Sequence, residues 1–255
     1  MSPTTRLDAS TATSRAPQVT PWLALVSRLF LFASLQVSAA ALFAALGSTQ
    51  AWADSATWWP LYITIANVLG AVWLTQVFRA EGLRYADMFR LDRAHVGRDL
   101  LTLLGILAIA APLSMLPNPL LATALFGDSQ AIVPLLFRPA PPWAMVPALV
   151  AFGITQGLVE LPTYFIYATP RIERLGVPTW AAVAAGTLML SLQHIAAPLW
   201  FDGRYLIWRG LMFLPFALFV GIILRWRPRL LPYLAIMHAL MDLSLIAVYL
   251  MAVAA

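Results

Sequence analysis

Four ionisable residues stand inside otherwise apolar stretches of this chain: Glu160, His194, His238 and Asp242. An ionisable group in a spanning helix is costly, roughly 2.5–3.5 kcal/mol on insertion scales, so each is a functional candidate by default. His238 and Asp242 are four residues apart and share one face of a helix. An acid there can fix the imidazole tautomer, hydrogen-bond the same substrate atom or add a metal ligand. The alternative is a pair that satisfies itself and pins helix packing. Glu160 and His194 are related differently. The midpoint of their numbers is 177, which falls on Gly176-Val177-Pro178, the strongest turn signal in the region. If the flanking segments form a helical hairpin, the two side chains lie at one level.

A glutamate, two histidines and an aspartate converging in a bundle suit two chemistries. One is hydrolysis by a water that Glu160 deprotonates, with a histidine helping to hold the water and other donors stabilising the oxyanion. The other is a metal site, because His194, His238 and Asp242 are of the types that ligate zinc. The His-Glu-x-x-His spacing of soluble zinc proteases is absent. A serine mechanism is weaker. Ser191 is three residues from His194, but helix serines usually bond their own backbone, and no Gly-x-Ser-x-Gly elbow exists. The third histidine, His95, lies in a charged stretch and reads as a surface residue.

The elements that must position these groups are membrane helices. Of the 255 residues 61% are hydrophobic and 11% charged, with mean hydropathy +0.80. A soluble domain carries about 25% charged residues and has nowhere to hide so much apolar surface. A spanning helix needs about 20 mostly apolar residues. Seven segments qualify: 29–46, 57–78, 100–117, 143–167, 178–200, 208–226 and 230–253. The expected fold is an all-α polytopic transmembrane bundle of about seven spans. Trp58, Trp59, Trp143, Trp200, Trp208 and Trp226 fall at span ends, where amphipathic rings prefer to sit. There is no cysteine, so disulfide and thiolate chemistry are excluded.

The basic charge is all arginine, and its placement predicts an orientation. Thirteen of the sixteen arginines fall in alternate gaps: Arg6, Arg15 and Arg28; then Arg79 to Arg98; then Arg171 and Arg174; then Arg225 to Arg229. The other gaps hold only Arg138, Arg204 and Arg209. The positive-inside rule then places the N-terminus in the cytoplasm and the C-terminus outside. Residues 1–20 are rich in Ser, Thr and Ala and read as a disordered tail. A competing reading takes the first span as a signal segment, cleaved after Ala51-Trp52-Ala53. The stretch 79–99 is the most charged of the chain and suits an interfacial segment whose arginines meet lipid phosphates.

The order of these residues resembles a known family. Glu160-Leu-Pro-Thr-Tyr-Phe-Ile-Tyr-Ala-Thr-Pro170-Arg171-Ile, followed by Leu175-Gly176, is similar to the first motif of the CAAX protease and bacteriocin-processing (CPBP, or Abi) family. Leu190-Ser-Leu-Gln-His194 stands where that family has an aromatic residue, three others and a histidine. His238-Ala-Leu-Met-Asp242 matches its His-x-x-x-Asn/Asp motif. The resemblance covers about 145–245 and implies an intramembrane endopeptidase built as a helical bundle. On that pattern Glu160 and His194 activate water, while His238 and Asp242 form the oxyanion or metal-side pair. A divalent metal such as zinc is the cofactor left open, with His194, His238 and Asp242 its candidate ligands. Two departures stand out. Leu161 replaces a second glutamate and Phe165 an arginine, a coordinated apolar swap that leaves no stranded charge. Gln156 and Tyr164, one turn either side of Glu160, offer replacement hydrogen bonds.

The resulting division is a tail, 1–20; N-terminal helices with the charged segment, 21–140; and a catalytic helical core, 141–255. The expected partners are membrane lipid and a membrane-associated protein or peptide substrate, with no nucleic acid. A bacterial plasma membrane is the expected location. Two other classes stay open: a catalytically silent member that binds a membrane partner, for example in immunity, and a transporter using the same groups as a proton relay.

Overall fold

A computed structural model describes residues 20–254. The predicted tail lies outside them except for Thr20. Helices α1 (Thr20–Ala45), α2 (Ala51–Thr57) and α3 (Trp59–Ala80) come first, then α4 (Val96–Met115), α5 (Pro117–Phe126) and the single turn α6 (Val133–Leu136). The second half holds α7 (Pro142–Leu161), α8 (Thr169–Arg174), α9 (Thr179–Leu192), α10 (Gly203–Leu211), α11 (Leu214–Trp226), α12 (Leu231–Leu243) and α13 (Leu245–Ala254). A π-helical stretch, Pro162–Ala168, joins α7 to α8. Among the described residues there is no β-strand. The chain is an all-α polytopic bundle.

Six helical stretches are long and apolar enough to cross a membrane: Thr20–Ala45, Trp59–Ala80, Val96–Phe126, Pro142–Arg174, Gly203–Trp226 and Pro228–Ala254. The expected fifth span, 178–200, does not join them. Its helix α9 has 14 residues, about 21 Å at 1.5 Å per residue. A 3-10 turn, Gln193–Ile195, and an irregular loop complete the segment. Pro198 is one cause, since it has no N–H to donate and disfavours helix at the residue before it. The loop's polar backbone is satisfied by protein. Arg209 donates to Ala197 O at 2.6 Å and the Tyr205 hydroxyl to Pro198 O at 2.6 Å. Gln36 donates to Leu199 O at 3.0 Å and accepts from its N–H at 2.6 Å. Irregular backbone at membrane depth is tolerated where protein buries it in this way.

Contacts at the two ends trace the path. At one end Arg171 pairs with Glu81, Arg225 with Glu173 at 2.8 Å, and Arg229 with Asp99 at 2.8 Å. At the other, tryptophan indoles donate to backbone and amide oxygens: Trp52 to Leu199, Trp59 to Leu136, Trp200 to Leu135 and Trp208 to Asn118. The short α9 therefore still carries the chain from the arginine end towards the tryptophan end.

Two arginines assigned to gaps are not there. Arg28 and Arg209 lie inside α1 and α10 and are 3% and 5% exposed. Helix α1 begins at Thr20, with Pro21 in its first turn, nine residues before the expected start. It packs as part of the core. The charged stretch carries a 3-10 turn, Tyr85–Phe89, whose Tyr85 hydroxyl donates to Leu158 O. Burial pushes that phenol above its ordinary range, so it stays a donor. His95 is exposed and bonds Asp92 at 2.7 Å, and this bond is the main cause holding the Asp92 carboxyl below its usual range.

Candidate functional site

The site begins with a close helix contact. Gly153 and Gly157 on α7 meet Ala235, Ala239 and Leu243 on α12. A Cβ placed on Gly157 would stand 2.5 Å from Ala235 O, so only glycine permits this approach. Small residues four apart let membrane helices close to backbone contact. Glu160 follows Gly157 by three residues and His238 follows Ala235 by three. Helical side chains lean towards their own N-terminus. In this antiparallel pair the two side chains therefore lean towards each other.

The four predicted residues come together. Glu160 is 1% exposed. Its Oε2 lies 3.2 Å from His238 Nε2, and its Oε1 lies 3.5 Å from His194 Nε2. Asp242 Oδ2 lies 3.5 Å from His238 Nε2. The hairpin that brings His194 to Glu160 turns at Gly176, whose φ of 93° needs glycine. His194 sits on the 3-10 turn after α9. Its Nδ1 donates to Leu190 O at 2.9 Å, so in the neutral ring Nε2 presents a lone pair towards Glu160. The ring also packs against Phe213 at a tilt of 38°, with centroids 4.1 Å apart. His238 and Asp242 are less satisfied. Nδ1 of His238 and Oδ2 of Asp242 are buried without a hydrogen-bond partner among the described residues.

Sequence reasoning found Gln156 as a partner of Glu160 and missed the rest of the shell, Gln193, Arg28 and Asn67. Gln156 Nε2 donates to Glu160 Oε1 at 2.6 Å, and Gln193 Nε2 donates to the same oxygen. Behind them lies Arg28, with Asn67 of α3 beside it. Tyr164 bonds Gln193 at 3.1 Å and reaches Glu160 only through it. A first span read from Pro21 rather than Leu29 would have exposed Arg28 as an intramembrane charge. Asn67 carries no comparable signal. The two departures from the family pattern are both buried and apolar. Phe165 fills a gap between Gly186 and Gly221, where a Cβ would lie 3.3 and 2.7 Å from its ring.

Among the described residues no group of three or more His, Cys, Asp or Glu is placed to hold a metal ion. His194 and His238 approach opposite oxygens of Glu160, and Asp242 faces His238 alone. As placed, His194, His238 and Asp242 do not form such a group. Compared with family models, curated proteins and solved structures, the chain matches none of them.

Proposed function

We propose that this protein is an intramembrane endopeptidase of the CPBP type, hydrolysing a peptide bond by water that Glu160 activates. The observation that carries the reading is a buried carboxylate flanked by two imidazole Nε2 atoms, at 3.2 and 3.5 Å, inside a membrane bundle. Glu160 takes a proton from water as the oxygen attacks the scissile carbonyl carbon. His194, with Nδ1 held by Leu190 O, presents Nε2 to orient that water. The carbonyl π bond opens to an oxyanion, which His238 stabilises as an N–H donor, with Asp242 Oδ2, 3.5 Å from its Nε2, orienting the ring. Collapse breaks the C–N bond, and the proton held by Glu160 passes to the leaving amine. The substrate is a membrane-associated peptide reached from the lipid or from the arginine-rich end.

Glu160→Gln tests this directly. A panel of synthetic single-span peptides in proteoliposomes, read by mass spectrometry, should be cleaved by the native protein. The variant should lose about 10²–10⁴-fold in rate. Cleavage that persists in Glu160→Gln removes the proposal. A silent, partner-binding relative is the second reading, favoured by the apolar Leu161 and Phe165. It predicts no cleavage by either form and unchanged capture of a partner by Glu160→Gln.

A further inference from the structure

Arg28 is a buried cation with no ion pair among the described residues. It is 3% exposed, and its guanidinium reaches three amide oxygens. Nε donates to Gln193 Oε1 at 2.6 Å, one terminal nitrogen to Asn67 Oδ1 at 2.9 Å and the other to Gln156 Oε1 at 2.8 Å. The ring of Phe32 lies 5.0 Å from the guanidinium carbon. A buried charge without compensation costs several kcal/mol, and neutral amides alone do not compensate it.

The compensation runs through those amides. Arginine has donors and no acceptor, so each amide must turn its oxygen towards Arg28. The orientation is doubly fixed. Gln193 Oε1 also accepts from the Tyr164 hydroxyl at 3.1 Å, and Gln156 Oε1 also accepts from Asn67 Nδ2 at 3.0 Å. With their oxygens committed, both glutamines must present N–H groups on the opposite side. Both groups meet the same atom, Glu160 Oε1. In a medium of low dielectric, aligned hydrogen bonds polarise one another, and the positive end of each amide dipole faces the carboxylate.

We infer that Arg28 is the remote counter-charge of Glu160, acting through Gln156 and Gln193 to occupy Oε1 and reserve Oε2 as the oxygen that accepts the proton. The two oxygens of Glu160 then have different work. Oε1 is an anchored acceptor on the His194 side. Oε2 faces His238 Nε2 at 3.2 Å and takes no hydrogen bond from either glutamine. Arg28 is thus a positioning residue, contributed by a helix outside the segment that resembles the protease family. The role of Oε2 rests on the hydrolytic reading above, whereas the electrostatic link between Arg28 and Glu160 does not.

The test is a double-mutant cycle on the full chain in detergent, read by thermal unfolding. Arg28→Met and Glu160→Gln should each lower Tm, because each strands one buried charge. The double variant should lose less than the two losses together, because neither charge is then left alone. If Arg28→Met alone does not accumulate as folded protein, its recovery on adding Glu160→Gln is the expected result. Strictly additive losses, or no recovery, overturn the link. The second readout uses single-span peptides cleaved by the native protein. Arg28→Met should lower kcat about a hundredfold with KM unchanged, and Arg28→Lys should restore part of it. A rise in KM with kcat preserved overturns the positioning role. Coupled stability in a protein that cleaves nothing would sink the protease reading and leave the link standing. Cleavage with additive stability would do the reverse.

Discussion

At the scale of single residues, His238 concentrates the unpaired polarity of the site. It lies between Glu160 and Asp242 with Nδ1 unsatisfied. If it stabilises an oxyanion, its loss should be felt in the transition state alone. His238→Ala is expected to lower kcat about 10²–10³-fold while KM holds, measured with a peptide the native protein cleaves. A parallel rise in KM would mean instead that His238 supports ground-state binding. Asp242 sits beside it, its Oδ2 3.5 Å from His238 Nε2 and likewise without a hydrogen bond among the described residues. The role of the pair was open in the sequence, where the four-residue spacing fits either a functional pair or a packing pair. Spacing reports a shared helix face; only the surroundings report which atoms lack partners.

At the scale of elements, the contact between α7 and α12 carries the site. Gly157→Ala places a methyl group 2.5 Å from Ala235 O, so the helices must part. The expected cost is about 1–3 kcal/mol of stability, seen as a lower Tm. Gly105→Ala is the control, since nothing lies within 4 Å of its Cβ position. It should be neutral or slightly stabilising, as an alanine within a helix usually is. Equal effects at both positions would remove the close-contact argument. The other element under test is the π-helical stretch with Phe165. Phe165→Arg alone buries an unpaired cation at a cost of about 3–5 kcal/mol. Adding Leu161→Glu should recover part of that loss in the same unfolding measurement. Recovery should stay incomplete, because the Phe165 ring also fills the space opposite Gly186 and Gly221. A double variant no better than the single would show that the two positions do not pair.

At the scale of the whole molecule, charge sorts the two ends. Arg171, Arg225 and Arg229 reach Glu81, Glu173 and Asp99 at one end, while the indoles of Trp52, Trp59, Trp200 and Trp208 bond at the other. We expect the arginine end to face the cytoplasm. Reporter fusions after Gly82 and at the C-terminus should give opposite signals, cytoplasmic for the first and external for the second. The same signal from both would mean that the short α9 and its loop do not complete a crossing. Moving Arg28 and Arg209 into helices takes one arginine from each side of the count. The bias between the ends therefore survives.

What the sequence determined by itself was the class of molecule and the location of its polar groups. Apolar runs of spanning length, arginine-rich gaps and four ionisable residues in apolar surroundings are properties of local composition. Hydrophobic transfer acts on each segment whatever its neighbours do. The hairpin symmetry about Gly176 was also legible, because a turn residue and helix rise are local. The tertiary structure alone decided how Glu160 is held. Arg28 and Asn67 come from helices far away in sequence, and Gln193 acts through an orientation that a cation on another helix imposes. It also decided that α9 stops short, since a loop at that depth is stable only when Gln36, Tyr205 and Arg209 fold over its backbone. Long-range hydrogen bonds of this kind leave no periodicity in a sequence, because they depend on which helices touch.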